Sequence, residues 1–215
     1  MPTAHERFTN LFVFEHPLIQ HKLSIARNRD TTSQDFRRLL NEIAGLMTFE
    51  LSRDLTTCSI DIETPLEKTQ GVRIATPVTL VPILRAGIGM TDGILAVMPE
   101  ARIGHIGIYR DERSLQPVAY YAKYPVDMAR GPVLLVDPML ATGGSAVHAA
   151  GELKKRGCTD IRLICLVAAP EGVERMLTHH PDVRVFTAGL DRQLNDRGYI
   201  LPGLGDAGDR IFGTQ

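Results

Sequence analysis

The stretch Pro132-Val-Leu-Leu-Val-Asp-Pro-Met-Leu-Ala-Thr-Gly-Gly-Ser145 decides how this chain folds. Val133 to Val136 is a compact apolar run, as expected of a strand buried on both faces. Ser145 to Arg156 follows with good helix formers and is closed by Gly157. A helix N-terminus presents unsatisfied N–H groups and the positive end of the macrodipole. Gly143 and Gly144 leave room for a close anion, and Thr142 and Ser145 add hydroxyl groups. The loop is an anion cradle sized for one phosphate. It is not a Walker A loop, because no lysine follows the glycines, and GxGxxG is missing. Asp137, at the strand end, adds a carboxylate that can accept hydrogen bonds from two adjacent ribose hydroxyls. Taken alone, Thr-Gly-Gly-Ser is equally an ordinary turn capping a helix. The apolar strand and Asp137 shift the reading to a phosphorylated ribose.

Outward from this loop, strands and helices alternate. Val78 to Leu84, Ile103 to Tyr109, Ile161 to Ala169 and Val183 to Ala188 are expected as strands. Gly89 to Met98 and Gly172 to His179 are expected as helices. This order implies an α/β fold with a mostly parallel twisted sheet and helices on both faces. Ligands in such folds sit at the carboxyl ends of the strands. Chemistry is therefore expected just after Leu84, Tyr109, Val136 and Ala188. In Thr32 to Ser52, Phe36, Leu39, Leu40, Ile43 and Met47 recur at helical spacing behind a Thr32/Asp35 capping start. This helix is expected as scaffold or subunit contact. Arg113 to Tyr124 breaks the alternation and is expected as a hairpin arm over the site. Its tyrosines, Tyr120, Tyr121 and Tyr124, are expected to pack on the sheet or a partner subunit rather than on a ligand. Residues 1–215 are expected as a single domain, with a core over about 70–190, an N-terminal helical segment over 1–60 and a hood over 191–215.

With 24 basic and 25 acidic residues, the formal net charge is −1. That balance argues against a nucleic-acid coat or a membrane-surface binder. Cys58, Cys158 and Cys165 have neither CxxC spacing nor a histidine at metal spacing, and read as small buried residues of a reducing cytosol. The N-terminus lacks the apolar core of a signal peptide, so the cytoplasm is the expected compartment. The histidines form no HExxH or similar ligand pattern. His148, on the helix after the cradle, is expected as a packing residue.

The segment "VDPMLATGGS" resembles the ribose-5-phosphate motif of the type I phosphoribosyltransferases, in which an acidic pair precedes a Thr-Gly turn. Here Pro138 replaces the second acid, and in that detail the loop is similar to the uracil phosphoribosyltransferase family. The same family is matched by "HPLIQHKLSIAR" (His16 to Arg27), "PILRAG" (Pro82 to Gly87), "IYRDE" (Ile108 to Glu112) and "GYILPGLGDAGDRIFGT" (Gly198 to Thr214). The resemblance implies a pentosyltransferase that converts uracil and phosphoribosyl diphosphate (PRPP) to UMP and pyrophosphate in pyrimidine salvage. It implies Mg²⁺ as cofactor, carried mainly by PRPP. Homodimers or higher homo-oligomers are implied, with GTP as a candidate effector.

Arg85, at a strand end, offers a planar fork of donors suited to an oxyanion. Gly87 and Gly89 let backbone N–H groups approach the same anion. The resemblance assigns Arg85 and Arg110 to the pyrophosphate, and implies a strained or cis peptide in the Arg85 loop. Arg110 is otherwise a surface partner of Asp111 or Glu112. The resemblance places PRPP against Asp137, Pro138, Met139, Leu140, Ala141, Thr142, Gly143, Gly144 and Ser145, with Asp206 as a further contact. Gly198 to Asp209 holds four glycines and Pro202 and is expected as an irregular loop of exposed backbone. Such backbone can read the acceptor–donor–acceptor edge of uracil without side chains. The resemblance puts uracil against Ile200, Gly205, Asp206 and Ala207. Arg85, Arg110, Asp137 and Asp206 are the expected catalytic set, with no obvious general base. Two other readings remain open here. Another base-specific phosphoribosyltransferase would be separated by a panel of free bases. A regulatory RNA-binding protein on this fold would be separated by salt-dependent RNA binding.

Overall fold

The computed structural model describes residues 3–110 and 117–214. Strands β1 (Thr3–Ala4) and β2 (Leu11–Val13) lead into helices α1 (Pro17–Arg27) and α2 (Ser33–Leu51). The hydroxyl of Thr32 caps α2 by accepting the Asp35 N–H at 3.1 Å, and Phe36, Leu39, Leu40, Ile43 and Met47 are buried along one stripe. A hairpin follows, β3 (Thr57–Glu63) and β4 (Lys68–Ile74), then β5 (Thr79–Leu84) and α3 (Thr91–Val97). Next come β6 (Arg102–Ile103), β7 (His105–Arg110), β8 (Pro117–Lys123), β9 (Val133–Val136), β10 (Met139–Leu140) and α4 (Gly144–Lys154). The chain ends with β11 (Ile161–Ala168), α5 (Pro170–His179), β12 (Arg184–Leu190), β13 (Gln193–Leu194), β14 (Ile200–Leu201) and α6 (Ala207–Phe212).

The main sheet runs β1-β2-β12-β11-β9-β5-β7-β8. From β2 to β7 every neighbouring pair is parallel, and only the outer strands β1 and β8 are antiparallel. The period-two pleat sorts the core. Leu80, Leu134 and Val136 face α1, α2, α3 and α6, whereas Val81, Val133 and Leu135 face α4 and α5. The α/β expectation, a mostly parallel sheet with helices on both faces, therefore holds.

Several elements depart from the sequence expectation. The helix expected over Gly89 to Met98 starts as a 3-10 turn over Ala86–Met90, and α3 begins at Thr91. Space is short there: a side chain at Gly87 would collide with the Val136 carbonyl oxygen, and one at Gly89 would press on Ile211. The tighter turn fits the chain between them. The irregular loop expected over Gly198 to Asp209 contains β14 and the start of α6, which Asp206 caps by accepting the Asp209 N–H at 3.0 Å. The hairpin β3–β4 and the added strand β2 were not anticipated. The expected arm is described from Pro117 on, where β8 pairs with β7. Its tip, Arg113 to Gln116, lies outside the described residues together with Asp111, Glu112 and the Arg110 side chain. Tyr120 packs against Tyr109, ring centroids 6.2 Å apart, and Tyr124 lies beneath the Arg156 guanidinium at 4.7 Å. Among the described residues no helix is long and apolar enough to cross a membrane.

Candidate active site

Strand β9 ends at Val136, and the next backbone groups turn onto β11. The Asp137 N–H donates to the Ile164 carbonyl at 3.1 Å, and the Pro138 carbonyl accepts from Leu166 at 3.0 Å and Val167 at 3.2 Å. β10 then pairs with β11. This second pairing holds Asp137 at the carboxyl end of central strand β9 and leads the following residues toward α4. Gly143 adopts φ +76°, left-handed space that favours glycine. A side chain there would also sit 2.9 Å from the Gly172 carbonyl oxygen. α4 starts at Gly144 with no side-chain cap, so its first amides face the loop interior without an intrahelical acceptor. Thr142 to Ser145 thus form the turn into α4 with uncapped first-turn amides, the backbone on which the expected cradle depends.

The Asp137 carboxyl is enclosed by protein, and one edge of the residue opens on a cavity. Burial pushes it up to about 7, opposed by the Met139 N–H that donates to Oδ1 at 3.3 Å. Behind it, burial pushes the Cys165 thiol up to about 12, so that cysteine is inert packing.

The cavity, about 340 Å³, joins the two ends of the chain's chemistry. Asp137, Met139 and Ala141 line it together with Ala86, Ile200, Gly205, Asp206 and Ala207. All four residues expected to meet the base therefore share one cavity with the ribose-side acid. Asp206 and Ala207 come from the start of α6, while the β13–β14 ribbon supplies Ile200 and, at its tip, Arg197 to Tyr199. Its tip turns at Gly198, φ +80°, and is closed by the Gly198 N–H donating to the Asn195 carbonyl at 2.8 Å. A side chain at Gly198 would lie 3.6 Å from the Thr142 methyl carbon, so the tip sits beside the cradle. Glu171 on α5 accepts the Leu194 N–H at 3.0 Å and ties the ribbon to the body.

Arg85 stands at the rim rather than in the cavity wall. Its guanidinium lies 5.9 Å from the Phe212 ring centroid, and the Leu84–Arg85 peptide is cis, as is Leu201–Pro202. Arg110 ends β7 two strands from Asp137. Arg197 and Tyr199 line the cavity and were not singled out from sequence. The turn signal Asn195-Asp196-Arg197-Gly198 could have placed them on a hairpin tip. Half-buried His148 on α4 is not among the cavity-lining residues.

A family model described as uracil phosphoribosyltransferase matches residues 13–214. A curated protein of that name from Streptococcus equi subsp. zooepidemicus is 57% identical over 204 residues, covering 94% of this chain and 98% of its own. One from Streptococcus pyogenes serotype M5 has the same identity and coverage. A solved structure of an Aquifex aeolicus protein superposes with a TM-score of 0.89 at 35% identity, covering 94% of this chain and 97% of its own. An adenine phosphoribosyltransferase from Trypanosoma brucei, at TM-score 0.58 and 11% identity over 92% of this chain and 90% of its own, shares the fold. Asp137 beside the uncapped start of α4, a glycine-rich segment lining the same cavity and these likenesses agree: the chain belongs to the uracil phosphoribosyltransferase family.

Proposed function

We propose that this chain transfers the phosphoribosyl group of PRPP to uracil, forming UMP and pyrophosphate in pyrimidine salvage. The observation that carries this reading is one cavity that Asp137, Met139 and Ala141, just before the Thr142 to Ser145 turn, line together with Ile200, Gly205, Asp206 and Ala207. The first-turn amides of α4, with Thr142 and Ser145, hold the 5′-phosphate, while Met139 and Ala141 line the cavity beside them and Pro138 and Leu140, buried behind, support the loop. Ionised Asp137 accepts the ribose hydroxyls. Arg85 and Arg110 neutralise the pyrophosphate. Uracil N1 forms a bond to C1′ as the bond from C1′ to the pyrophosphate oxygen breaks. By analogy with glycoside cleavage the transition state has oxocarbenium character. Holding both reactants in one cavity supplies positioning, and donors aimed at the leaving group supply electrostatic stabilisation.

Mg²⁺ fits the donor chemistry. Asp137 and Asp206 are hard oxygen donors on one cavity, and among the described residues no cluster of three or more His, Cys, Asp or Glu forms a cage. Mg²⁺ carried by the substrate phosphates would find these two carboxylates as further ligands. When bound it supplies neutralisation of charge on the leaving group.

Given PRPP, Mg²⁺ and equal amounts of uracil, cytosine and hypoxanthine, the protein forms UMP alone, and chelation of the metal abolishes turnover. Uracil is favoured over cytosine by at least about 10³-fold in kcat/KM, because an unmatched buried donor is penalised heavily. CMP or IMP as main product overturns the assignment. Adding GTP to the same assay tests it as an effector.

We also propose one catalytic domain hooded by residues 191–215 and placed in the cytoplasm; free Cys58, Cys158 and Cys165 support the compartment. A homo-oligomer is proposed from the β3–β4 hairpin, which exposes Leu66 at 94% and Val72 at 76%. Val72→Glu with Leu66→Glu is expected to lower the sedimentation coefficient at micromolar concentration. An unchanged coefficient overturns the hairpin as a subunit contact.

A further inference from the structure

Arg27 closes α1 and Asp191 follows β12. The two side chains meet as a fork: Arg27 Nη1 donates to Asp191 Oδ2 at 2.7 Å and Nη2 to Oδ1 at 2.6 Å. The Asp191 side chain is 6% exposed and that of Arg27 23%. A buried ion pair of this kind is costly to desolvate, so its remaining bonds matter. Those bonds go to a single residue. The Gly203 N–H donates to Asp191 Oδ2 at 2.8 Å, and the Gly203 carbonyl accepts from Arg27 Nη1 at 2.7 Å. Both polar backbone groups of Gly203 are thereby gripped by one charged pair.

The neighbouring geometry is shaped to this grip. Gly203 adopts φ +64°, and a side chain on it would collide with the Ile200 carbonyl oxygen. Gly189 makes room for the guanidinium: a Cβ there would lie 2.9 Å from Arg27 Nη2. The next carbonyl, Leu204, accepts from Arg210 Nη1 at 2.8 Å, and that nitrogen also donates to Ala26 beside Arg27. Gly203 stands between Ile200 and Gly205-Asp206-Ala207, the residues that line the cavity with Asp137. Backbone that reads a base by hydrogen bonds is only as selective as its placement, and a shift on the order of 1 Å costs about 10²-fold.

We infer that Arg27 and Asp191 are positioning residues for the base. The pair touches neither substrate, and sets the register of the Gly205 to Ala207 backbone against uracil. It thereby controls uracil affinity and the preference for uracil over cytosine. This inference rests on the reading of the cavity as a uracil site. Arginine is needed at position 27, because one planar fork must serve two carboxylate oxygens and a carbonyl, whereas a lysine ammonium is a point charge.

Two variants test it on the full-length protein. Arg27→Lys keeps the charge and removes the fork. Gly189→Ala keeps every group of the pair and displaces the guanidinium. In both, KM for uracil is expected to rise about tenfold or more and the uracil-to-cytosine preference to fall by a similar factor. KM for PRPP should stay within about twofold, because the cradle is held by β11 and α4 instead. Unchanged uracil KM, or equal rises in both KM values, overturns the inference. Amide hydrogen exchange at Gly203 gives a readout independent of turnover. It accelerates about tenfold or more in both variants if the clamp exists, and unchanged exchange sinks it. Wild-type protein that forms no UMP would fail the uracil reading, while the exchange measurement would still decide the clamp.

Discussion

Replacing Asp137 with asparagine lowers kcat/KM for PRPP about 100-fold, the equivalent of roughly 2.8 kcal/mol. The substitution keeps the shape of the side chain and removes its charge. Charge-assisted hydrogen bonds contribute about 1.5–3 kcal/mol each, and two ribose hydroxyls depend on this one acid. The pH dependence gives a sharper signature. The free carboxyl titrates at about 7 because burial disfavours its charge. PRPP needs the ionised form, so wild-type kcat/KM falls as pH drops below about 7, and the Asp137→Asn profile is flat across that range. Folding stability moves the other way. Between about 4, the ordinary carboxylate value, and about 7, the folded chain holds a proton that the unfolded chain has lost. Stability of the ligand-free protein therefore declines as pH rises through that window. Asp137→Asn removes this decline and raises Tm at pH 8. A variant with near-normal kcat/KM and the wild-type pH profile would remove Asp137 from the ribose site.

Gly93→Ala destabilises the protein by about 3 kcal/mol or more, lowering Tm by about 6–12 °C. The reason lies in how α2 and α3 cross. The Gly93 N–H donates to Asn41 Oδ1 at 2.7 Å, and a methyl group on Gly93 would collide with the Asn41 carbonyl oxygen. Across the same crossing, a side chain on Gly45 would sit 2.9 Å from the Gly93 carbonyl. Backbone meets backbone, so no side chain can rotate away and the helices must separate. α3 follows the Arg85 turn directly, so this separation also shifts the rim of the cavity. Gly151→Ala is the contrast. It lies within α4, and the nearest atom to an added Cβ is 3.9 Å away. There the helix gains alanine propensity, and stability rises by about 0.5–1 kcal/mol. Equal Tm changes for the two variants, measured by thermal melts, would show that the crossing tolerates added volume.

The strands β5, β9, β11 and β12 were legible because they are largely buried on both faces and therefore mostly apolar, broken only by residues such as Thr79, Arg162 and Thr187. Val133 to Val136 matched its expected bounds without change. α2 was legible from its stripe and cap. The hairpin β3–β4 was not: the short alternation Cys58, Ile60, Ile62 was passed over, and apart from Ile74, which reaches the core, its strands Thr57–Glu63 and Lys68–Ile74 are mostly exposed on both faces. α6 was hidden inside a glycine-rich loop, where its Asp206 cap and six residues give no helical period.

For the site, sequence alone determined the cradle. Its chemistry is local: a strand end, an acid and two glycines before a helix are contiguous, so their spacing along the chain is their arrangement in space. The glycine-rich segment from Gly198 was also visible as exposed backbone. Only the tertiary structure decided that these two segments, some sixty residues apart, share one cavity, and that Arg197 and Tyr199 line it. It likewise decided that Arg27, at the far end of the first helix, grips Gly203. Such partners are set by the crossing of α1 over the edge of β12. No spacing rule along a chain records a contact whose two sides are 176 residues apart.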